Sequence, residues 1–182
     1  MRPMRAAPSR PSSAPPPFSL VPLDVRHAPA MAAVLADPAL YRFTGGEPPG
    51  AEALAARYAR QLAGPGEPGV AWVNLLVRTE EGGAFAGYVQ ATGRRGEEAE
   101  LAWVVGTAWQ GRGLAKAAAR ALADRLAAAA GVRRLTAYVH PEHAASEAVA
   151  HALGLRPDGS ARDGERRWAG PAPVSPVRTA AP

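Results

Sequence analysis

The stretch from Trp109 to Ala115 has the residue types and spacing that most directly indicate chemistry. Gly111 and Gly113 lack Cβ and let the backbone approach a ligand closely, and Arg112 between them adds a positive charge. The stretch joins an apolar run, typical of a strand, to a long Ala- and Leu-rich run, typical of a helix. Free N–H groups and the dipole at a helix start favour anions, which predicts a phosphate or pyrophosphate cradle. A plain tight turn between a strand and a helix would have the same glycine pattern.

The two elements that must position this turn are visible in the sequence. Leu101 to Val105 is apolar and rich in aromatic and β-branched residues, which predicts the buried part of a strand from Glu98 to Val105. Leu114 to Ala130 predicts a helix that stops at Gly131. Two common nucleotide motifs do not fit. A P-loop needs Gly-Lys-Ser/Thr at its end, and a dinucleotide turn needs three glycines that open a series of βαβ units.

The glycine turn is followed by further motifs in an informative order. Gln110 to Ala115 has the pattern Gln-x-x-Gly-x-Ala, and Glu100 to Val105 is the predicted strand before it. His140 to Ser146 and Leu153 to Leu155 follow the next predicted strand. Together these motifs resemble the GNAT superfamily of N-acetyltransferases, with the first as its acetyl-CoA signature. The resemblance covers residues 18–169 and is closest to the branch that contains the ribosomal-protein N-terminal acetyltransferases.

The resemblance implies acetyl-CoA as the acetyl donor and a set of residues that hold it. The backbone of Trp103, Val104 and Val105 would pair with the pantetheine arm like an added strand, and the Val105 amide would lie near the thioester carbonyl. His143 occupies a position where the family tends to have an Asn that bonds the pantetheine, and it could donate a similar hydrogen bond. The cradle would be formed by Gln110, Gly111, Arg112, Gly113, Leu114, Ala115 and Lys116.

Acetyl transfer also needs a group that deprotonates the amine and a group that protonates the leaving thiolate. Glu100 is the candidate base, directly or through water, and a solvated acid at a strand end is the alternative interpretation. The tyrosine that the family often uses as the acid is absent, because Ala150 occupies its position. Ser146 matches a serine of some relatives and is the candidate acid, although a helix-capping hydroxyl is an equal interpretation. His143 could instead titrate near neutrality as the acid.

The order of the elements predicts an α+β fold with a central mixed, mostly antiparallel sheet flanked by helices. The strand after the cradle helix should return parallel to Glu98–Val105, because a crossover precedes it. The resemblance implies that this parallel pair splays apart where the cradle helix begins. The other expected elements are Phe18–Val25, His27–Ala36, Ala51–Ala63, Val70–Arg78, Ala84–Thr92, Leu135–Val139, Ala144–Leu153 and a final hairpin around Arg162 and Glu165–Ala169.

The loop from Tyr41 to Gly50 holds two aromatic residues and has two interpretations. Tyr41 and Phe43 either fill the edge of the core or face an acceptor pocket, which the GNAT family often builds from a loop between two helices.

The positive charge of the chain is concentrated outside the predicted domain. Residues 1–17 and 170–182 are poor in core-forming residues and are expected to be disordered tails around one acetyltransferase-like domain, residues 18–169. The formal net charge is +5. The arginines of the tails, which contain no acid, are Arg2, Arg5, Arg10 and Arg178. The domain is therefore nearly neutral, so the basic composition does not favour nucleic-acid binding.

Several other classes of protein are disfavoured by composition. The absence of cysteine excludes disulfides and thiolate metal sites, and the four histidines lack metal-binding spacing, so no metal is expected. We see no apolar run long enough to cross a membrane and no signal peptide, so we expect a cytoplasmic protein without membrane contact. A homodimer is compatible with the fold, because the outer strands of such a sheet can pair between chains.

Together, the residues and the resemblance predict an acetyl-CoA-dependent N-acetyltransferase that acts by direct transfer in a ternary complex. The acceptor would be a primary amine, either a protein N-terminus or a small-molecule amine. The alternative is a non-catalytic acyl-CoA-binding sensor or interaction module, which the missing tyrosine and the change of Asn to His leave open.

Overall fold

A computed structural model describes residues 14–174. None of the helices in this part is long and apolar enough to cross a membrane. In chain order the elements are β1 (Phe18–Pro22), α1 (Ala28–Val34), α2 (Ala51–Ala63), β2 (Val70–Thr79), β3 (Phe85–Arg94), β4 (Glu98–Val105), α3 (Leu114–Ala130), β5 (Arg134–Val139), α4 (Ala144–Ala152), β6 (Arg156–Arg162) and β7 (Glu165–Pro171).

The strands form one seven-stranded mixed sheet in the order β1-β2-β3-β4-β5-β7-β6. Neighbouring strands are antiparallel except for β4 and β5, which are parallel because α3 carries the chain back across the sheet between them. The predicted α+β fold class, with its one parallel pair among the described strands, is confirmed.

Helices cover both faces of the sheet, and strand alternation decides which helix each side chain meets. On one face, Leu101 of β4 packs in the same core as Leu122 of α3. On the other face, Val104 of β4 packs against the cluster that contains Met31 of α1 and Leu54 of α2. The two faces of β4 therefore belong to two different cores, as the predicted alternation of Glu100 to Val105 requires.

The parallel pair separates soon after it begins. Residues Glu98–Glu100 of β4 pair with Arg134–Thr136 of β5, and beyond these residues the two strands are no longer paired. From Leu101 to Val105, β4 therefore has β3 on one side and, among the described strands, no partner on the side of β5. The result is a slot beside the edge of β4, at the place that the resemblance implied.

Most predicted boundaries of the helices and strands agree with the structure, but those of β1 and α1 differ. α2, β4 and α3 have the predicted bounds, and α3 ends at the left-handed Gly131 (φ 64°). β1 ends at Pro22 rather than at Val25, because the Asp24 carboxylate accepts a hydrogen bond from Arg26 N (2.9 Å) and starts a 3-10 turn. α1 is shorter than expected at both ends, from Ala28 to Val34.

The final hairpin predicted by the sequence is present as β6 and β7. Asp163 (φ 51°) and Gly164 (φ 83°) form its left-handed turn, a conformation typical of two-residue hairpin loops. β7 continues to Pro171, which pairs with Arg134 of β5. Residues 1–13 and 175–182, which make up most of the expected tails, lie outside the described residues.

Candidate active site

The turn from β4 into α3 has the backbone conformation of an anion cradle. Gly111 (φ 73°) and Gly113 (φ 74°) are both left-handed, a conformation that residues with a Cβ rarely adopt. The first hydrogen bond of α3 is donated by Ala117 N to Gly113 O (3.1 Å), and no side chain of residues 14–174 caps the helix. The N–H groups of residues 114–116 therefore have no partner within the helix. Together with the helix dipole, they favour an anion at this place.

The polar side chains around the cradle have different roles. Gln110 Nε2 donates to the Val105 carbonyl (2.9 Å) and ties the turn to the end of β4. Lys116 is exposed and borders the central cavity. Arg112 lies over the ring of Trp109, with its guanidinium carbon 5.5 Å from the ring centroid, and does not line that cavity. Of the two cations that the sequence placed in the cradle, Lys116 therefore borders the cavity and Arg112 lies outside it.

The central cavity has a volume of about 760 Å³ and follows the slot between β4 and β5. It is lined by Gly113 at the cradle, by residues 103–105 of β4, and by Glu100 and Arg162. Except for Arg112, all the residues assigned to acetyl-CoA or to catalysis from the sequence border this one space. Within residues 14–174, no group of three or more acidic or histidine side chains is placed to hold a metal ion.

Glu100 borders the cavity, but its carboxylate is engaged by an arginine. Arg162 of β6 donates from Nη1 to Oε2 (3.1 Å) and from Nη2 to Oε1 (2.8 Å). The same guanidinium packs over Tyr138 of β5, 3.6 Å from the ring centroid. Because the Glu100 side chain is 40% exposed, the ion pair remains in contact with solvent. A base role for Glu100 therefore requires the Arg162 contact to loosen or the proton to pass through water.

Ser146 is joined to the opposite wall of the slot by a hydrogen bond. Trp103 Nε1 donates to Ser146 Oγ (3.0 Å), which links β4 to the first turn of α4. α4 begins after His143 without a side-chain cap, so the Ser146 hydroxyl does not cap this helix. The hydroxyl keeps its own proton for an acceptor in the cavity that it lines. Ala150, at the position of the absent tyrosine, is fully buried in the core.

Phe43 connects the loop after the first helix to the histidines of the site. Its ring stacks on His143, with centroids 4.4 Å apart, and lies 5.2 Å from His140. Burial, and secondly the neighbouring His140, lower the pKa of His143, so its imidazole is mostly neutral at pH 7. Tyr41, in contrast, donates to Leu35 O (3.1 Å) at the edge of the core. Tyr41 therefore lies at the edge of the core, whereas Phe43 borders the central cavity.

Sequence reasoning did not identify Arg162, Tyr138 or Tyr88 as residues of the site. Arg162 and Glu100 are 62 residues apart in sequence, so no local sequence pattern could indicate their contact. Thr136 is the parallel partner of Glu100, and Tyr138 lies on the same face of β5 as Thr136. Strand alternation could therefore have indicated that Tyr138 lies near Glu100. Tyr88 also lines the cavity, and burial raises the pKa of its phenol.

Residues 18–156, more than half of the chain, match the model of the family described as Acetyltransferase (GNAT) domain. The chain therefore belongs to the GNAT acetyltransferase domain family, and the predicted family is confirmed. The match extends from β1 to the first residue of β6 and includes the cradle and the slot. None of the curated proteins is significantly similar to the chain in sequence.

Solved acetyltransferase structures share this fold. Mycobacterium smegmatis RimJ in complex with CoA-disulfide is 20% identical with a TM-score of 0.70, over 85% of this chain and 82% of that chain. Ribosomal-protein-S5-alanine acetyltransferase from Vibrio fischeri is 14% identical with a TM-score of 0.71, over 85% and 93%. An acetyltransferase from Agrobacterium tumefaciens str. C58 is 26% identical with a TM-score of 0.66, over 93% and 99%. A ribosomal-protein acetyltransferase is thus among the structural neighbours, in agreement with the predicted branch.

Proposed function

We propose that this chain transfers an acetyl group from acetyl-CoA to a primary amine within a ternary complex. The proposal rests on one observation, the continuity of the cavity from a helix start with free N–H groups to a carboxylate at Glu100. An elongated thioester with phosphates at one end fits such a space. The family match supports acetyl transfer in general, and the RimJ structure was obtained with CoA-disulfide.

On the donor side, the cradle and the open edge of β4 supply the binding groups. The N–H groups of residues 114–116 and the Lys116 ammonium would receive the pyrophosphate. The backbone of residues 103–105 would pair with the pantetheine arm, because this edge has no strand partner. Burial lowers the pKa of His143, which favours the neutral imidazole, and its N–H would donate a hydrogen bond to the same arm. Arg112 would add a positive charge near the phosphates rather than a direct contact.

On the acceptor side, the reaction forms an N–C bond and breaks the C–S bond of the thioester. The ammonium form of the acceptor must lose one proton before it attacks and a second once the N–C bond has formed, and the leaving thiolate must gain one. Glu100 would take the first proton, directly or through water. Ser146, whose hydroxyl the Trp103 indole N–H polarises, would donate its proton to the thiolate and take up the second proton of the acceptor nitrogen. The chain has no cysteine, so a thiol nucleophile is excluded and direct transfer is the simpler route.

The test combines calorimetric titration of acetyl-CoA with detection of released CoA thiol in the presence of peptides and small amines. The protein contributes no thiol background, because it has no cysteine. We expect acetyl-CoA to bind and CoA to be released. Glu100→Gln should slow release by about 100-fold or more without changing acetyl-CoA affinity. Glu97→Gln, at an exposed acid just before β4, is the matched control and should have no effect.

The results of these measurements distinguish the acetyltransferase from the non-catalytic acyl-CoA-binding module. Tight acetyl-CoA binding without turnover by any amine, unaffected by Glu100→Gln, would favour the acyl-CoA-binding module. An intact, folded protein that does not bind acetyl-CoA would refute both functions.

A further inference from the structure

The acceptor end of the cavity, formed by Glu100, Tyr138, Arg162 and Glu165, holds two carboxylates and one guanidinium. All four residues line the cavity, and Glu165 lies opposite Arg162 in the register of the β6–β7 hairpin. The Glu100 carboxylate accepts two hydrogen bonds from Arg162, so its charge is already neutralised by a guanidinium. The formal charge of these residues is negative only through the Glu165 carboxylate, so an acceptor meets Glu100 together with its Arg162 partner.

Arg162 has hydrogen-bonding capacity beyond its pair with Glu100. A guanidinium has five N–H donors, and Glu100 uses two of them. The ring of Tyr138, 3.6 Å from the guanidinium carbon, supports the plane of the group from one side. The ion pair is half-exposed, with 50% of the Arg162 side chain accessible, and exposed pairs contribute little stability. An acceptor can therefore rearrange this pair at small cost.

We propose that Arg162 is the specificity-determining residue of the acceptor end. When an acceptor enters, its amine takes one oxygen of Glu100, and the freed N–H group of Arg162 donates to a carbonyl or carboxylate oxygen beside that amine. The residue thereby selects α-amino groups that carry an adjacent carbonyl, as in a peptide N-terminus or an amino acid, over simple amines and polyamines. This inference rests on the proposed acetyl transfer and specifies its acceptor.

This selection can be tested with two acceptors, of which one has a carbonyl beside the amine and the other does not. Alaninamide and isopropylamine both present a primary amine on a branched carbon, and only alaninamide has the neighbouring carbonyl. The measurement is kcat/KM for each amine from CoA thiol release, with the unchanged protein, Arg162→Gln, Arg162→Lys and Arg166→Gln. Arg166 is the matched control, because it lies on the same hairpin and pairs with Glu147 of α4 (3.2 Å) outside the cavity.

The unchanged protein should prefer alaninamide, and Arg162→Gln should reduce that preference by about tenfold or more, the effect of one hydrogen bond from a charged donor. Arg162→Lys should retain part of the preference, since it keeps the charge without the planar donor pair. Arg166→Gln should leave it unchanged. An equal fall of both kcat/KM values in Arg162→Gln would overturn the inference and leave the proposed function intact. Absence of turnover with any amine would overturn the proposed function, and this inference with it.

Discussion

Replacement of Gly113 by alanine tests the cradle, because the same helix provides a matched control at its other end. Gly113 (φ 74°) precedes α3 and Gly131 (φ 64°) follows it, and both are left-handed. A Cβ added at either position would have its nearest neighbouring heavy atom at 3.9 Å, so steric contacts do not distinguish the two sites. Gly113 lines the cavity and Gly131 does not.

The two variants should therefore lose similar stability and differ in affinity. A left-handed alanine costs roughly 1–2 kcal/mol, which corresponds to about 2–8 °C in Tm for a chain of this size. At Gly113 the new methyl group would also lie beside the N–H groups that we propose receive the phosphates. Loss of one hydrogen bond to a charged group costs about 1.5–3 kcal/mol, or roughly 10- to 100-fold in the Kd for acetyl-CoA.

Thermal unfolding followed by circular dichroism measures the first effect, and calorimetric titration with acetyl-CoA measures the second. We expect parallel losses of Tm, with a weaker Kd only in Gly113→Ala. If both variants bind acetyl-CoA as tightly as the unchanged protein, the phosphates are not held at this turn. If both lose affinity equally, the effect is transmitted through helix stability and the reasoning is wrong.

Three further predictions concern side chains in or near the site. Trp103→Phe should lower kcat by about tenfold, because it removes the 3.0 Å hydrogen bond that polarises the Ser146 hydroxyl. Ser146→Ala should lower kcat by about 100-fold, because it removes the proton donor itself. The double variant should be no slower than Ser146→Ala, and additive losses would show independent roles. Tyr58→Phe should stabilise the fold by about 1 kcal/mol, since the buried hydroxyl has no partner among the described residues, and a urea midpoint below that of the unchanged protein would contradict this. Burial raises the pKa of Tyr58 from 10.0 to about 12, so the folded state holds the proton more tightly and stability should fall as pH rises between these values, less steeply in Tyr58→Phe. Phe43→Ala should raise the pKa of His143 toward its ordinary value by exposing the imidazole, and an unchanged NMR titration midpoint would show that Phe43 does not cause its burial.

The helices and strands of this chain were predictable from the sequence where the residues of one short segment determine its conformation. The bounds of α3 follow from a run of strong helix formers between two glycines, which alone take the left-handed conformation at low cost. The strand Glu98–Val105 was equally predictable, because its alternation matches the two cores it separates. The end of β1 was predicted wrongly, because the apolar pattern continues to Val25. In the structure the Asp24 side chain accepts a hydrogen bond from the backbone and starts a turn before that residue.

The sequence by itself determined the glycine turn before α3, the family and the residues along one edge of β4. These depend on glycines, spacing and alternation within short segments, which the chain specifies before it folds. Only the tertiary structure decided what those side chains meet. It placed Arg162 on Glu100, the Trp103 indole on Ser146 and Phe43 on His143, and it turned Arg112 onto a neighbouring ring. Most of these contacts join elements far apart in sequence, and they depend on strand order and on the splay between β4 and β5, so no periodicity within one segment encodes them.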